Sequence, residues 1–484
     1  MRVLFLAETP LSLTSFQSVI TELAHRGHDV TIAIHSEREV GWRDSLLAEV
    51  EATGATIERA VAPQPDRWLE LALDVRSMLD LNMFLDERFN ETYRERAWRR
   101  APRPAAALAR TRIGGSAPVR RSVRAMLRLV ERALPTNGEI ERFLTERAPD
   151  VVLFTPYLGL RSIQPEFLRA AKALGLRTAI CVKSWDNLSS KSVIRPVPDR
   201  LFVWNEIQRS EAETLHGIPR DRVVVTGAQC FDEWFDWRPR PREEFCARVG
   251  IDPGLPYVLY ACCSPWTGQS EVDFVRRWTA ALCAGGGVLA DAGILVRPHP
   301  KRPDAWLDVA VGDRAVIFPP EGHAPTDADS KADYFDSIYH SAAVVGLNTS
   351  AMIEAAIVGR SVLTVLDPEY ERVQEGTLHF RYLTDPRDGV LQAAHSLEEH
   401  VVQLEQAVAG RDDGAVRAEA FVAGFVRPFG RDVESTPLFV DAVERLAGAA
   451  APRPERTPAP LRPLRALLAP LAARAGRPAP AGGD

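Results

Sequence analysis

Along the first sixty residues, short apolar runs alternate with amphipathic stretches. Val3–Ala7, Val30–Ile34 and Thr56–Ala60 are runs of strand length. Between the first two, Phe16, Val19, Ile20 and Leu23 recur at three- and four-residue intervals, which predicts a helix over Phe16–Arg26 stopped at Gly27. A second helix is predicted over Ser45–Thr53, with Asp44 placed to cap it, and His25 and His28 flank the Gly27 stop. Strand, helix, strand in this rhythm predicts βαβ units on a parallel sheet. Residues from about Asp66 to Arg147 read as mostly helical, and the strand rhythm returns at Val151–Phe154, Thr178–Val182, Leu201–Trp204 and Val223–Thr226.

The pattern then repeats. Asp236–Arg242 reads as a linker, and strands are predicted at Tyr257–Cys262, Ile294–Val296, Ala315–Phe318, Ala343–Gly346 and Val362–Val365, with a closing helix near Val433–Ala447. The expected organisation is a first domain over residues 1–235, a second over 243–449, and a disordered tail over 450–484 dominated by Pro, Ala and Arg. Within that tail, Leu461–Ala475 has the pattern of a basic, leucine-bearing surface helix interrupted by Pro463 and Pro470.

A chain of 484 residues suits two domains. A net charge of −6 argues against a general nucleic-acid binder, which carries a basic excess. The charge is unevenly spread: Arg94 to Arg128 holds eleven arginines and one acid, Glu95. That segment fits either an anionic partner (a lipid phosphate, a polysaccharide or a bilayer surface) or a solvated helical face. The six cysteines form no C-x-x-C pair and read as buried hydrophobes, with no metal site. Asp327-Ala328-Asp329 matches a D-x-D pattern but follows no strand, and reads as a solvated loop. No apolar stretch reaches the length of a membrane span, and Val3–Ala7 is too short for a signal peptide; a cytoplasmic protein, with peripheral membrane contact left open, is the expectation.

Open α/β sheets bind ligands beyond the carboxyl ends of their strands, so the residues that follow strands carry the candidate chemistry. After Ala343–Gly346 comes Asn348-Thr349-Ser350, opening a helix with Glu354 one turn on. Hydroxyls and free N–H groups there could hold phosphates, with Glu354 on ribose hydroxyls; Thr349 or Ser350 could equally be an ordinary cap. After Ile294–Val296 comes Arg297-Pro298-His299-Pro300-Lys301, suited to neutralising a diphosphate leaving group, with His299 able to donate a proton or hydrogen bond. Lys183, Trp185, Asp186 and Asn187 follow a first-domain strand. Asp186 is a candidate base, Trp185 a stacking platform, and the alternative is an Asx turn. Glu8 follows the first strand as a second candidate base, and Gly376 and His379 could approach a donor.

Together these residues resemble the GT-B superfamily of glycosyltransferases: the opening strand with Leu23–Thr31 resembles that family's first βαβ unit. The second domain is similar to glycerophosphotransferases that use CDP-glycerol and to related capsule transferases, through Arg297, His299 and Pro300 and through Thr349, Ser350 and Glu354. Non-hydrolysing sugar-nucleotide epimerases share a similar serine-to-glutamate donor site. The resemblance implies two facing Rossmann-like domains with a cleft between them, a nucleotide-sugar donor held mainly by the second, and no obligatory metal or cofactor. The implied activity is transfer of a sugar in cell-surface glycan, polysaccharide or glycolipid synthesis. Glycerol phosphate transfer, sugar-nucleotide 2-epimerisation and an inactive nucleotide-sugar-binding module are the alternatives. Many members carry a basic histidine in the first loop; this chain has Leu11–Ser15 there, which leaves the base open.

Overall fold

The computed structural model describes residues 1–35, 43–62, 67–159, 161–264, 271–301, 303–320, 322, 325 and 327–475. The chain forms two compact units, one of residues 1–230 together with the chain from Ser435 onward, the other Phe231–Glu434.

The first unit is built on β1 (Arg2–Ala7), β2 (Asp29–Ile34), β3 (Thr56–Arg59), β4 (Val151–Thr155), β5 (Arg177–Cys181), β6 (Arg200–Val203) and β7 (Val223–Val225). They lie in the order β3-β2-β1-β4-β5-β6-β7, and every pairing is parallel. Its central strands β1 and β4 are apolar because both faces are covered, whereas the edge strand β3, Thr-Ile-Glu-Arg, has no buried residue. Leu4 and Leu6 pack into one core with Phe154 and Phe167, while Val3, Phe5 and Ala7 enter another with Phe16, Ile20 and Phe202. Each such Val, Leu, Ile or Phe side chain contributes about 1.5–3 kcal/mol on burial. All seven strands expected here are present.

The second unit carries β8 (Tyr257–Ala261), β9 (Gly293–Arg297), β10 (Ala315–Ile317), β11 (Ala343–Val345), β12 (Ser361–Val365) and β13 (Leu391–Ala394), in the parallel order β10-β9-β8-β11-β12-β13. The strand β13, Leu-Gln-Ala-Ala, escapes the apolar-run criterion: it is short, and its middle two residues are only partly buried.

The closing helix, Ser435–Gly448, corrects the expected boundary at residue 449, because it belongs to the first unit. Phe439, Val440 and Val443 enter the core beneath β1, and Arg26 bonds Asp441 at 2.7 Å and Glu444 at 3.1 Å. His28, which follows the Gly27 stop, meets Glu444 at 2.8 Å. The tail expected to be disordered forms the helix Arg462–Ala475, which packs on Arg67–Phe84 and on Ala117–Ala133. Leu464, Leu468 and Ala472 recur every four residues and add one narrow stripe to a core that Leu71, Val75 and Leu127 have already begun. A stripe too thin to fold alone suffices against a formed partner. The rest of the expected tail, residues 476–484, lies outside the described residues.

Candidate functional site

In each sheet the chain reverses direction of growth once, between β1 and β4 in the first unit and between β8 and β11 in the second. Neighbouring loops leave in opposite directions at such a point, which opens a crevice beyond the strand ends.

At the second unit's switch point, β9, β8 and β11 are adjacent. The turns after β9 and β11 therefore share one edge, about 10 Å apart across the intervening strand. Backbone packing there is close: a Cβ on Gly346 would lie 2.9 Å from the Ala261 carbonyl oxygen, so only glycine lets β11 end against β8. The Cys262 amide donates to the Arg297 carbonyl at 3.0 Å, and the Asn348 amide to Cys263 Sγ at 3.0 Å. The side-chain amide of Asn348 donates to the Val373 carbonyl and lies 3.4 Å from His379 Nε2. Buried Gln374 donates to the Leu347 and Val365 carbonyls at 3.1 and 2.9 Å. The loop Leu347–Ser350 is thus fixed from behind. Asn348 and His379 serve that scaffold, and Gly376 closes its turn by donating to the Glu371 carbonyl at 2.9 Å.

Ahead of the scaffold, Thr349 is partly buried and Ser350 exposed. Ser350 occupies the cap position of the helix Ala351–Ile357, but its backbone is already helical and its side chain makes no capping bond. The ordinary capping role is therefore not taken up. Glu354 accepts a hydrogen bond from the Tyr334 hydroxyl. Burial raises its carboxyl to about 7, against lowering by the Tyr334 bond and by Arg297. Arg297 lies 4.9 Å from the Tyr334 ring and donates to Ser337 Oγ at 3.0 Å. Its guanidinium is buried against the helix Ala328–Tyr339, and that burial lowers its pKa to about 10. This corrects the expectation of a phosphate ligand at the edge: as the last residue of β9, Arg297 points into the covered face of the sheet. It reaches Glu354 through Tyr334.

His299 is partly buried, and its Nδ1 accepts the Lys301 amide at 3.2 Å. Burial, then Lys301, lowers the imidazole to about 4, so near neutral pH the ring is uncharged and its proton sits on Nε2. The Lys301 side chain is exposed beside it. Glu271, which no motif in the sequence marks, is buried and accepts from the Tyr260 hydroxyl at 2.9 Å and the Cys263 amide at 2.6 Å. Burial raises it to about 7 despite those bonds.

The first unit's switch point carries Glu8. Its amide donates to the Thr155 carbonyl at 3.1 Å, and its carboxylate lies where a Cβ on Gly159 would come within 3.1 Å. Gln164 donates to the Leu6 and Thr155 carbonyls at 3.2 and 2.9 Å, locking β1 to β4. Lys183 donates from Nζ to the Leu11 carbonyl at 2.9 Å, and Trp185 is packed away at 6% exposure. The carboxylate of Asp186 accepts from Ser184 and Ser190 at 2.7 Å each and meets Lys191 at 3.4 Å. Asn187 accepts the amides of Lys183 and Ser184 at 3.2 Å. The loop is an internally bonded turn, the plainer of its two readings: the Trp185 platform is buried, and the partly exposed Asp186 carboxylate is engaged by its own loop.

Among the described residues no group of three or more His, Cys, Asp or Glu side chains could hold a metal ion. No described helix is long and apolar enough to cross a membrane.

No protein-family model matches the chain, and no curated protein matches it. Solved structures do. A glycosyltransferase from Rickettsia africae is 9% identical with a TM-score of 0.51, covering 93% of this chain and 99% of its own. UDP-GlcNAc 2-epimerase from Neisseria meningitidis bound to UDP-GlcNAc is 12% identical at 0.51, covering 92% and 100%. The UDP-GlcNAc 2-epimerase from Methanocaldococcus jannaschii is 12% identical at 0.52, covering 92% and 100%. At these identities the likeness shows the fold: the two-domain α/β GT-B type found in glycosyltransferases and sugar-nucleotide epimerases. The similarity to CDP-glycerol transferases keeps only its motif residues as support.

Proposed function

We propose that this protein is a glycosyltransferase whose second unit holds a nucleoside-diphosphate sugar at the carboxyl edge of its sheet. One observation carries the reading. The turn after β11 is braced from behind, yet leaves the Ser350 hydroxyl exposed and uncapped, on the edge that also presents a neutral His299. The diphosphate lies against Thr349 and Ser350, and Glu354, oriented by Tyr334, accepts from ribose hydroxyls. As the bond between the anomeric carbon and the phosphate oxygen breaks, the electron pair passes to that oxygen. His299 Nε2–H and the Lys301 ammonium stabilise the new charge there. The acceptor hydroxyl forms the new bond at the anomeric carbon and gives up its proton to a base.

His299→Ala is expected to lower kcat about 100-fold with nucleotide affinity little changed. Initial rates and calorimetry on the variant check this; wild-type turnover, or equal loss in both, would refute the assigned role. The structural likeness to UDP-GlcNAc 2-epimerases makes epimerisation the second reading. Incubation with donor alone separates the two, since an epimerase converts it without an acceptor. Running CDP-glycerol beside UDP-sugars tests glycerol phosphate transfer in the same assay.

A further inference from the structure

Among the described residues thirteen large hydrophobic side chains are exposed, and six of them fall in two segments of the first unit, residues 108–129 and 467–471. They are Leu108, Ile113, Met126, Leu129, Leu467 and Leu471, at 54, 75, 56, 44, 75 and 50% exposure. The helices Ala117–Ala133 and Arg462–Ala475 pack on each other and on Arg67–Phe84. Arg465 bonds the Ala133 carbonyl at 3.0 Å, which puts the start of the second beside the end of the first. Each helix is amphipathic in an unusual sense. Val123, Leu127 and Val130 face the core from the first, and Leu464, Leu468 and Ala472 from the second. The outer faces still carry Met126, Leu129, Leu467 and Leu471. A helix that merely met water would have polar residues at those positions.

The exposed charge on residues 96–128 and on the helix Arg462–Ala475 has one sign. Arg110, Arg112 and Arg121 are exposed in the same segment as Leu108, Ile113, Met126 and Leu129, Arg462 and Arg474 are exposed on the terminal helix, and Glu95 is the one acid between Arg94 and Arg128. Arginines and aliphatic side chains interleaved on a surface helix match a bilayer with anionic headgroups, which meets the cations at the headgroups and the aliphatics just below them. A polyanion in solution, nucleic acid or polysaccharide, would meet the arginines and leave the aliphatics in water. The mixture therefore favours lipid.

We infer that these two segments dock the protein on an anionic phospholipid bilayer, lying in the interface without crossing it. The inference does not rest on the transferase reading, because adsorption is measured without turnover. The full chain is co-sedimented with vesicles of phosphatidylcholine mixed with phosphatidylglycerol, and with vesicles of phosphatidylcholine alone. Binding to the mixed vesicles only, weakened by salt, is expected. Arg110→Gln/Arg112→Gln/Arg121→Gln should lower the partition coefficient about 100-fold. Met126→Ser/Leu129→Ser should lower it at least about tenfold while binding to dextran sulfate stays as in the wild type. All five side chains are exposed, so both variants should keep the wild-type circular dichroism and unfolding midpoint. No preference for anionic vesicles would overturn the proposal. So would wild-type binding by the serine variant, which would make the segments a polyanion site.

Discussion

At the end of β5, Asp186 is met by two hydroxyls and Lys191; at the β11 edge, Glu354 is met by one tyrosine in surroundings that raise it to about 7. The same contrast holds deeper in each unit. Buried Glu166 is bonded by Arg76 at 2.7 Å and by Arg169 at 3.1 Å, and its carboxyl falls below the ordinary range although burial works against that. Buried Glu271 is held by a tyrosine hydroxyl and a backbone amide, both uncharged, and rises to about 7. Both edges began as polar loops after parallel strands. One completes its hydrogen bonds internally and becomes scaffold, while the other keeps acids and hydroxyls short of partners, the condition in which a ligand can supply the missing ones.

The sharpest way to break this comparison is Asp186→Ala. It removes the acceptor for Ser184, Ser190 and Lys191, and should destabilise the first unit by about 2–3 kcal/mol while leaving nucleotide affinity unchanged. Urea unfolding and calorimetry report the two quantities. Unchanged stability with lost turnover would return Asp186 to the role of base.

Glu271 offers a test through pH. At low pH the folded and unfolded states both hold the proton. Between 4.5 and about 7 the unfolded chain releases it while the folded one keeps it, so stability falls across that window and stays lower above it. Glu271→Gln should therefore gain about 2–3 kcal/mol over the wild type at about pH 8 and nothing at about pH 4, read from paired denaturation curves. A gain independent of pH would show that burial does not raise this carboxyl. The smallest expected effect is Ser350→Ala. With no capping bond to lose, its stability should change by less than about 0.5 kcal/mol, against about 1 kcal/mol for a working cap, while nucleotide binding weakens.

Much of the fold was legible in the sequence where burial is two-sided. Strands such as Val3–Ala7 in the first sheet and Ala343–Val345 in the second are continuously apolar because helices cover both faces, while the edge strand Thr56–Arg59, which has no buried residue, was legible from the alternation of strands and helices. The polar turns after β9 and β11 were legible because connections in parallel sheets place them at one edge. What could not be read depends on tertiary partners. The closing helix joins the first unit through Phe439 and the Arg26–Asp441 pair, 415 residues apart. Tyr334 meets Glu354 across two packed helices, and its position in the sequence looks like core periodicity. Arg297 sits in a motif that suggests exposure, and only the covering helix Ala328–Tyr339 reveals that it is buried.

Titration of UDP into the wild type, Glu354→Ala and Asp186→Asn, followed by calorimetry, addresses the donor site itself. Binding to the wild type and to Asp186→Asn with matching affinity is expected, and at least about tenfold weaker binding to Glu354→Ala. Equal affinity for all three proteins, or a loss confined to Asp186→Asn, would contradict a donor site in the second unit.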